Sequence, residues 1–211
     1  AMFHHCGPQN WLMLYALAHW AFGPSKLLDQ ITDEARERIL PGLMSGTKSM
    51  CFGLSEPNAG SDVSRINTRA LKEGDGWRIS GRKIWTSNAP IADYCVIFAV
   101  TDPDKAAARR GGITGFIVPT ETDGFSVQRI IKLFGHIGGD EAELGFDNLY
   151  VEPWQIVGEL GQGLAAALYG VSLGRIYNSA RAVGYGRWAL ELALEYAQTR
   201  EAFGKAIAEY Q

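Results

Sequence analysis

From residue 164 to about residue 199 the apolar side chains recur at helical spacing: Leu164, Ala167, Leu168 and Val171, then Leu190, Leu194 and Ala197. A helix of roughly 35 residues spans about 50 Å, more than one small domain can cover. The rest of its packing has to come from another chain or from sequence not present here. Gly184 and Gly186 are the points at which such a rod would bend.

Ahead of this rod the period is different. From about residue 48 alternation replaces helical spacing, and Gly74-Asp75-Gly76 separates two short runs (69–73 and 77–80) that read as a hairpin. Residues 94–100 are continuously apolar, as in a strand buried on both faces. Runs at 116–118, 125–130 and 144–151 complete an expected antiparallel set, without intervening helices. That pattern predicts a β-sandwich or open barrel. Two helices precede it. Residues 9–22 are apolar on nearly every face and require burial all round. A second helix follows Thr32 as its cap, with Asp33 and Glu34 in the first turn and Ala35, Ile39 and Leu40 as its stripe, and is expected to stop at Pro41-Gly42. The fold class expected is therefore α+β, divided into 1–48 (helical), 49–155 (β) and 156–211 (helical).

Composition excludes several functions. With 46% hydrophobic and 20% charged residues, the chain can bury a core and is not disordered. A net charge of -3 gives no electrostatic footprint for nucleic acid. The apolar run 11–18 falls far short of a membrane span, which takes about 20 residues, and no basic residue precedes it as in a signal peptide. Cys6, Cys51 and Cys95 are too scattered for a disulfide scaffold and read as reduced thiols, implying a cytoplasmic protein. There are no internal repeats.

Some motifs match by degeneracy. Gly161-Gln162-Gly163-Leu164-Ala165-Ala166 fits a dinucleotide fingerprint, but its strand and acidic partner are missing, so it reads as a glycine-rich start to the helix. Ser45-Gly46-Thr47-Lys48 matches S-x-x-K without the companion motifs. His4-His5-Cys6 has no partner cluster, so no metal site is expected, and His136 reads as a solvated loop residue.

One constellation carries chemistry. Residues 51–62 (Cys51-Phe52-Gly53-Leu54-Ser55-Glu56-Pro57-Asn58-Ala59-Gly60-Ser61-Asp62) put hydroxyls and backbone N–H groups at a strand end. Gly81-Arg82-Lys83-Ile84-Trp85-Thr86-Ser87-Asn88 does the same and adds an indole able to lie on a planar heterocycle. The other reading of the pair is a turn-rich rim with a half-buried Trp.

Ser55-Glu56-Pro57-Asn58-Ala59-Gly60-Ser61-Asp62 resembles the T/S-E-P-x-A-G-S-D signature of the acyl-CoA dehydrogenases, and Trp85-Thr86-Ser87-Asn88 resembles their W-I-T-N block. Thr114-Gly115-Phe116-Ile117-Val118, Phe146-Asp147-Asn148-Leu149-Tyr150-Val151 and Arg200-Glu201-Ala202-Phe203-Gly204-Lys205 follow in the family's order. The resemblance implies FAD as cofactor. Phe52, Leu54 and Ser55 would meet the pyrimidine side of the flavin, with Gly60 in the same loop. Trp85 would stack on the rings, and Thr86-Ser87 would bring a hydroxyl near N5. Ser61 would lie between flavin and acyl-CoA, while Ser172, Arg175 and, less directly, Arg110 would meet the acyl-CoA. Arg200, Phe203 and Gln211 would reach the FAD of a neighbouring subunit, making the protein a homo-oligomer. Fatty acid metabolism and an electron-transfer flavoprotein, or a similar acceptor, are implied with it.

Departures from the family pattern matter as well. In most of the family the catalytic base is a Glu further along the C-terminal bundle than Gln211, and Gly174 stands immediately before Arg175, where other members carry it, so no catalytic residue is identifiable. Phe52 replaces a common Tyr, and Ala202 a frequent Thr. The chain reads as about half a family member. The alternatives are another flavin chemistry on the same scaffold, oxidase or monooxygenase, and a non-catalytic binding or assembly module.

Overall fold

In Tyr94–Val100 no position is left to water except, in part, Tyr94. Cys95, Ile97 and Ala99 point into one apolar cluster while Val96, Phe98 and Val100 point into another, as the period of two dictates. The rest of the fold supplies those two clusters. The computed structural model describes residues 24–134 and 140–210; the expected helix over 9–22, His4-His5-Cys6, His136 and Gln211 lie outside the described residues.

The strands β1 (Met50–Gly53), β2 (Arg69–Glu73), β3 (Gly76–Ser87), β4 (Tyr94–Val100), β5 (Ile113–Pro119), β6 (Phe125–Ile131), β7 (Glu141–Val151) and β8 (Ile156–Val157) make one sheet. Its order is β6-β7-β3-β2-β4-β5-β8, with β1 also on β4. It folds over on itself, so that Trp77 and Ile79 of β3 and Leu144 and Leu149 of β7 share a core with Ile97, Phe116 and Val118. This is the expected α+β sheet flanked by helices, and no closed barrel forms.

The expectation of a wholly antiparallel set is corrected. β1 runs parallel to β4 from Met50↔Tyr94 to Gly53↔Ile97, and β2 meets β4 in parallel at Arg69↔Val100. The hairpin between them returns the chain in its original direction before β4 begins. β1 and β2 thus flank the two ends of β4, and residues 54–68 leave the sheet in the fork. A short helix, α2 (Pro103–Ala107), also interrupts the strands.

The helix that precedes β1, α1 (Asp33–Ser45), is capped as expected, with the Ala35 N–H donating to Thr32 Oγ1 at 3.1 Å. It does not stop at Pro41-Gly42 but runs on to Gly46, whose φ of 73° ends it. A mid-helix proline costs about 3 kcal/mol, but burying Leu43 one turn further, beside Ala35 and Ile39, returns a comparable amount.

The long helix α3 (Gly163–Thr199) begins where Gly163 lies against β5. A Cβ there would sit 2.4 Å from the Gly115 nitrogen, so the glycine-rich start of this helix is a packing requirement. Among the described residues its buried apolar side chains are Ala166 and Ala167, in the first turns. Beyond them Ile176, Val183, Leu190 and Leu194 are exposed, as the length of the rod required. A small hairpin follows, β9 (Glu201–Ala202) with β10 (Lys205–Ala206). Among the described residues no helix is long and apolar enough to cross a membrane.

Candidate functional site

The site is built on an irregularity in β3. Lys83 pairs with Leu144 and Thr86 with Ala142, so β3 carries one residue more than β7 between those pairs. The extra residue is absorbed at Trp85, whose φ is 60°. A bulky side chain in the left-handed region is a strained arrangement that the surrounding ladder has to hold in place. The bulge turns the indole outward, leaving it 54% exposed at the strand end.

The segment 54–62 is tied to this bulge from below. The Ile84 N–H donates to the Ser55 carbonyl at 2.9 Å. Lys83, on the opposite side of the strand from Ile84, is fully buried; its Nζ donates to Glu56 Oε1 at 2.8 Å and to the Leu54 carbonyl at 3.2 Å. The Glu56 carboxylate also accepts from the N–H groups of Asn67 and Thr68. Burial pushes the Lys83 ammonium down to about 8, against the opposing pull of Glu56. Burial would raise the Glu56 carboxyl, but the Lys83 charge and these hydrogen bonds overcome it and hold the group below its usual value. Both groups are therefore charged at neutral pH. Glu56 and Ala59 close a tight turn through two 3.0 Å bonds, leaving Pro57, Asn58, Gly60 and Ser61 at the surface.

Several polar groups at this end have no internal role. The Ser55 N–H and hydroxyl make no hydrogen bond among the described residues, and Thr86 Oγ1 is buried without a partner among them. Ser87 Oγ donates to the Glu141 carboxylate at 2.6 and 2.8 Å. Phe52 packs its ring edge-on to Phe98, centroids 5.3 Å apart, and Leu54 is buried in the same cluster. Both therefore face the site through their backbone. An exposed indole beside an open hydroxyl and N–H fits a flat, polar-edged ring system such as the flavin of FAD.

The remaining expected residues are spread out. Asp62 binds Arg109 at 3.2 Å and accepts from Ser64; that hydroxyl first, then Arg109, holds its carboxyl below the usual range. Arg109 lines a cavity of about 440 Å³ with Arg65, Asn67 and Arg69. Arg110 is its exposed neighbour. Ser172 and Arg175 lie exposed, three residues apart, on α3, with the Ser172 hydroxyl returned to the Leu168 carbonyl at 2.8 Å. Arg200 closes α3, and Phe203 stands almost fully exposed at the tip of the β9–β10 turn with φ 51°. The chain thus brings together 52–61 and 85–87 but leaves Arg200 and Phe203 at the far end of the long helix. Sequence reasoning gave no role to Lys83, Glu56 or Glu141. The available signal for the first was a lysine at an inward-facing position of an alternating strand, with a glutamate inside the neighbouring motif.

Residues 51–149 match the family model described as acyl-CoA dehydrogenase, middle domain, and residues 161–211 the one described as acyl-CoA dehydrogenase, C-terminal domain. Among curated proteins, the 3-(aryl)acrylate reductase of Clostridium sporogenes is 37% identical over 85% of this chain and 47% of its own length. The acyl-CoA dehydrogenase of Bacillus subtilis is 36% identical over 92% and 50%. The prolyl acyl carrier protein oxidase AnaB superposes with a TM-score of 0.88 at 32% identity, covering 100% of this chain and 55% of that one. Butyryl-CoA dehydrogenase from Megasphaera elsdenii gives 0.82 at 34% identity, covering 90% and 49%. The chain spans about half the length of the curated relatives it matches.

Proposed function

Since this chain belongs to the acyl-CoA dehydrogenase family, we propose that it carries the flavin-binding part of an FAD-dependent dehydrogenase that introduces an α,β double bond into an acyl-CoA thioester. The observation that carries this reading is the strained, outward-turned Trp85 beside the uncommitted Ser55 N–H and hydroxyl. Phe52, Leu54, Ser55 and Gly60 would line the pyrimidine side of FAD, Trp85 would stack on it, and Thr86-Ser87 would bring the Ser87 hydroxyl to its other edge. When bound, FAD supplies the acceptor for the hydride lost from the β-carbon. Ser61 would orient the thioester from the loop tip, while Ser172, Arg175 and Arg110 would meet the CoA portion. We assign the α-proton acceptor to none of these residues, because Gly174, beside Arg175, has no side chain to take a proton. Residues 49–155 would serve as the β-domain between the parts 1–48 and 156–211.

The exposed apolar face of α3, together with Arg200 and Phe203 at its tip, supports a homo-oligomer in which one subunit completes the cofactor site of the next. An electron-transferring flavoprotein, or a similar acceptor, would take the electrons in this reading.

A second reading is favoured by one observation: the similarity to the prolyl acyl carrier protein oxidase extends over the whole chain. In that case the thioester is borne by a carrier protein, and oxygen takes the electrons. The test is the visible spectrum of the purified protein after incubation with FAD and gel filtration. Turnover is then assayed with acyl-CoA, using an artificial acceptor or oxygen. A retained flavin band with acceptor-dependent turnover supports dehydrogenation; oxygen consumption favours the oxidase. Absence of a flavin band in a folded sample sinks both readings.

A further inference from the structure

Lys83 is fully buried, yet it carries an ammonium group. Burying an ion pair costs several kcal/mol of desolvation per ion, and apolar residues of the same volume commonly stabilise a fold at least as well. The pair therefore calls for an explanation other than stability, and its hydrogen bonds supply one. In a trans peptide the C=O of one residue and the N–H of the next point in opposite directions. Lys83 Nζ holds the Leu54 carbonyl inward at 3.2 Å, so the Ser55 N–H has to point the other way, out of the core. The Ser55 carbonyl is held in turn by the Ile84 N–H of the Trp85 bulge. One buried cation thus fixes the orientation of the peptide that offers an open N–H beside the indole.

We propose that the Lys83–Glu56 pair is a positioning device for the cofactor edge, turning the Leu54–Ser55 peptide so that the Ser55 N–H meets an acceptor atom on the flavin's pyrimidine side. This rests on the flavin reading above. Glu56 holds the ammonium in register, and its own position is fixed by the Asn67 and Thr68 N–H groups. Gly53 makes room for the lysine stem: a Cβ there would lie 3.3 Å from Lys83 Cγ.

Ionisable side chains surround Lys83. Glu56 faces it from the 54–62 loop and Cys95 from β4, with Cys51 of β1 in register beside Cys95. The hydrogen bond with Cys95 and burial push the Cys51 thiol well above its usual value, so it stays neutral. From β7 the pairing partners Leu144 and Ala142 carry no charge.

The experiment combines Lys83→Met with Glu56→Gln in the full chain, which removes both charges together and spares the fold an unpaired one. FAD affinity is measured by quenching of flavin fluorescence, alongside the visible band positions and the urea midpoint. The expected result is an affinity at least tenfold weaker with shifted flavin bands, at a midpoint close to that of the parent. Unchanged affinity and band positions would overturn the proposal. Should the double variant fail to fold, Glu56→Gln alone decides, since it takes the carboxylate from the lysine while keeping an acceptor in place: a weakened FAD affinity with shifted bands is expected, and affinity and bands that coincide with the parent's overturn the proposal. An unmodified chain that binds no FAD at any pH overturns the flavin reading itself, and this proposal with it.

Discussion

The Ser87 hydroxyl lies against both carboxylate oxygens of Glu141, at 2.6 and 2.8 Å, and its single proton is committed to that carboxylate. The serine oxygen therefore presents lone pairs, not a proton, to anything placed at the mouth of the sheet. Glu141→Gln removes the strong acceptor and frees the proton to donate elsewhere. In the FAD-loaded chain this variant should shift the flavin bands and its reduction potential, while Ser87→Ala should weaken FAD by roughly three- to tenfold, the worth of about one hydrogen bond. Spectra and potentials of the two variants that coincide with the parent would remove Ser87 from the site.

Trp85 separates binding from stability. Trp85→Ala should weaken FAD by about tenfold through lost stacking. Trp85→Gly should weaken it as much, yet raise the urea midpoint by the equivalent of about 1 kcal/mol, because glycine adopts a φ of 60° without strain. A titration with FAD and a urea melt on each variant check both halves.

Gly163→Ala adds the one atom for which the foot of α3 has no room, 2.4 Å from the Gly115 backbone. Overpacking of this kind costs about 1–3 kcal/mol. Chemical denaturation should show the loss, whereas Gly174→Ala, with nothing among the described residues within 4 Å of the new atom, should leave the midpoint unchanged or higher.

The pH dependence of stability has a sign that opposes intuition. Lys83 titrates at about 8 when folded and at 10.5 when free, so between those values the unfolded chain binds more protons and stability rises with pH. Cys51, whose thiol is raised above 9.0, works against this from that point upward. On the acid side the carboxyls of Glu56 and Asp93 are held low, so their contribution is present above the ordinary carboxylate range and is lost as pH falls through their folded values. Urea midpoints measured across the range should therefore rise gently from neutrality towards pH 9 and drop in acid.

The strands were legible because each buried face leaves a period in the sequence: β4 begins and ends where its apolar run does, and the Gly74-Asp75-Gly76 turn lies between β2 and β3. The helix start at Thr32 was legible for the same kind of local reason. Its end was not, because the burial of Leu43 that carries α1 past Pro41 is a tertiary contact. The parallel pairing of β1 with β4 joins residues over 40 positions apart, and no local pattern records it. In the site, Trp85, Ser55 and Ser87 could be picked out as residues that offer surface chemistry. Lys83 and Glu56 were harder to pick out, since a lysine on a strand reads as solvent-facing unless its inward position is weighed together with a glutamate 27 residues away.

Among the described residues the buried apolar side chains of α3 lie in its first turns, which makes it a lever. The helix is about 55 Å long. A rotation of about 10° where Gly163 rests on Gly115 would carry the β9–β10 hairpin through roughly 9 Å, a distance that follows from the rise of the helix alone. The spacing between Trp85 and the distant Arg200 and Phe203 is thus decided by how one glycine seats against another, and small changes at that seat are read out at full scale where the helix ends.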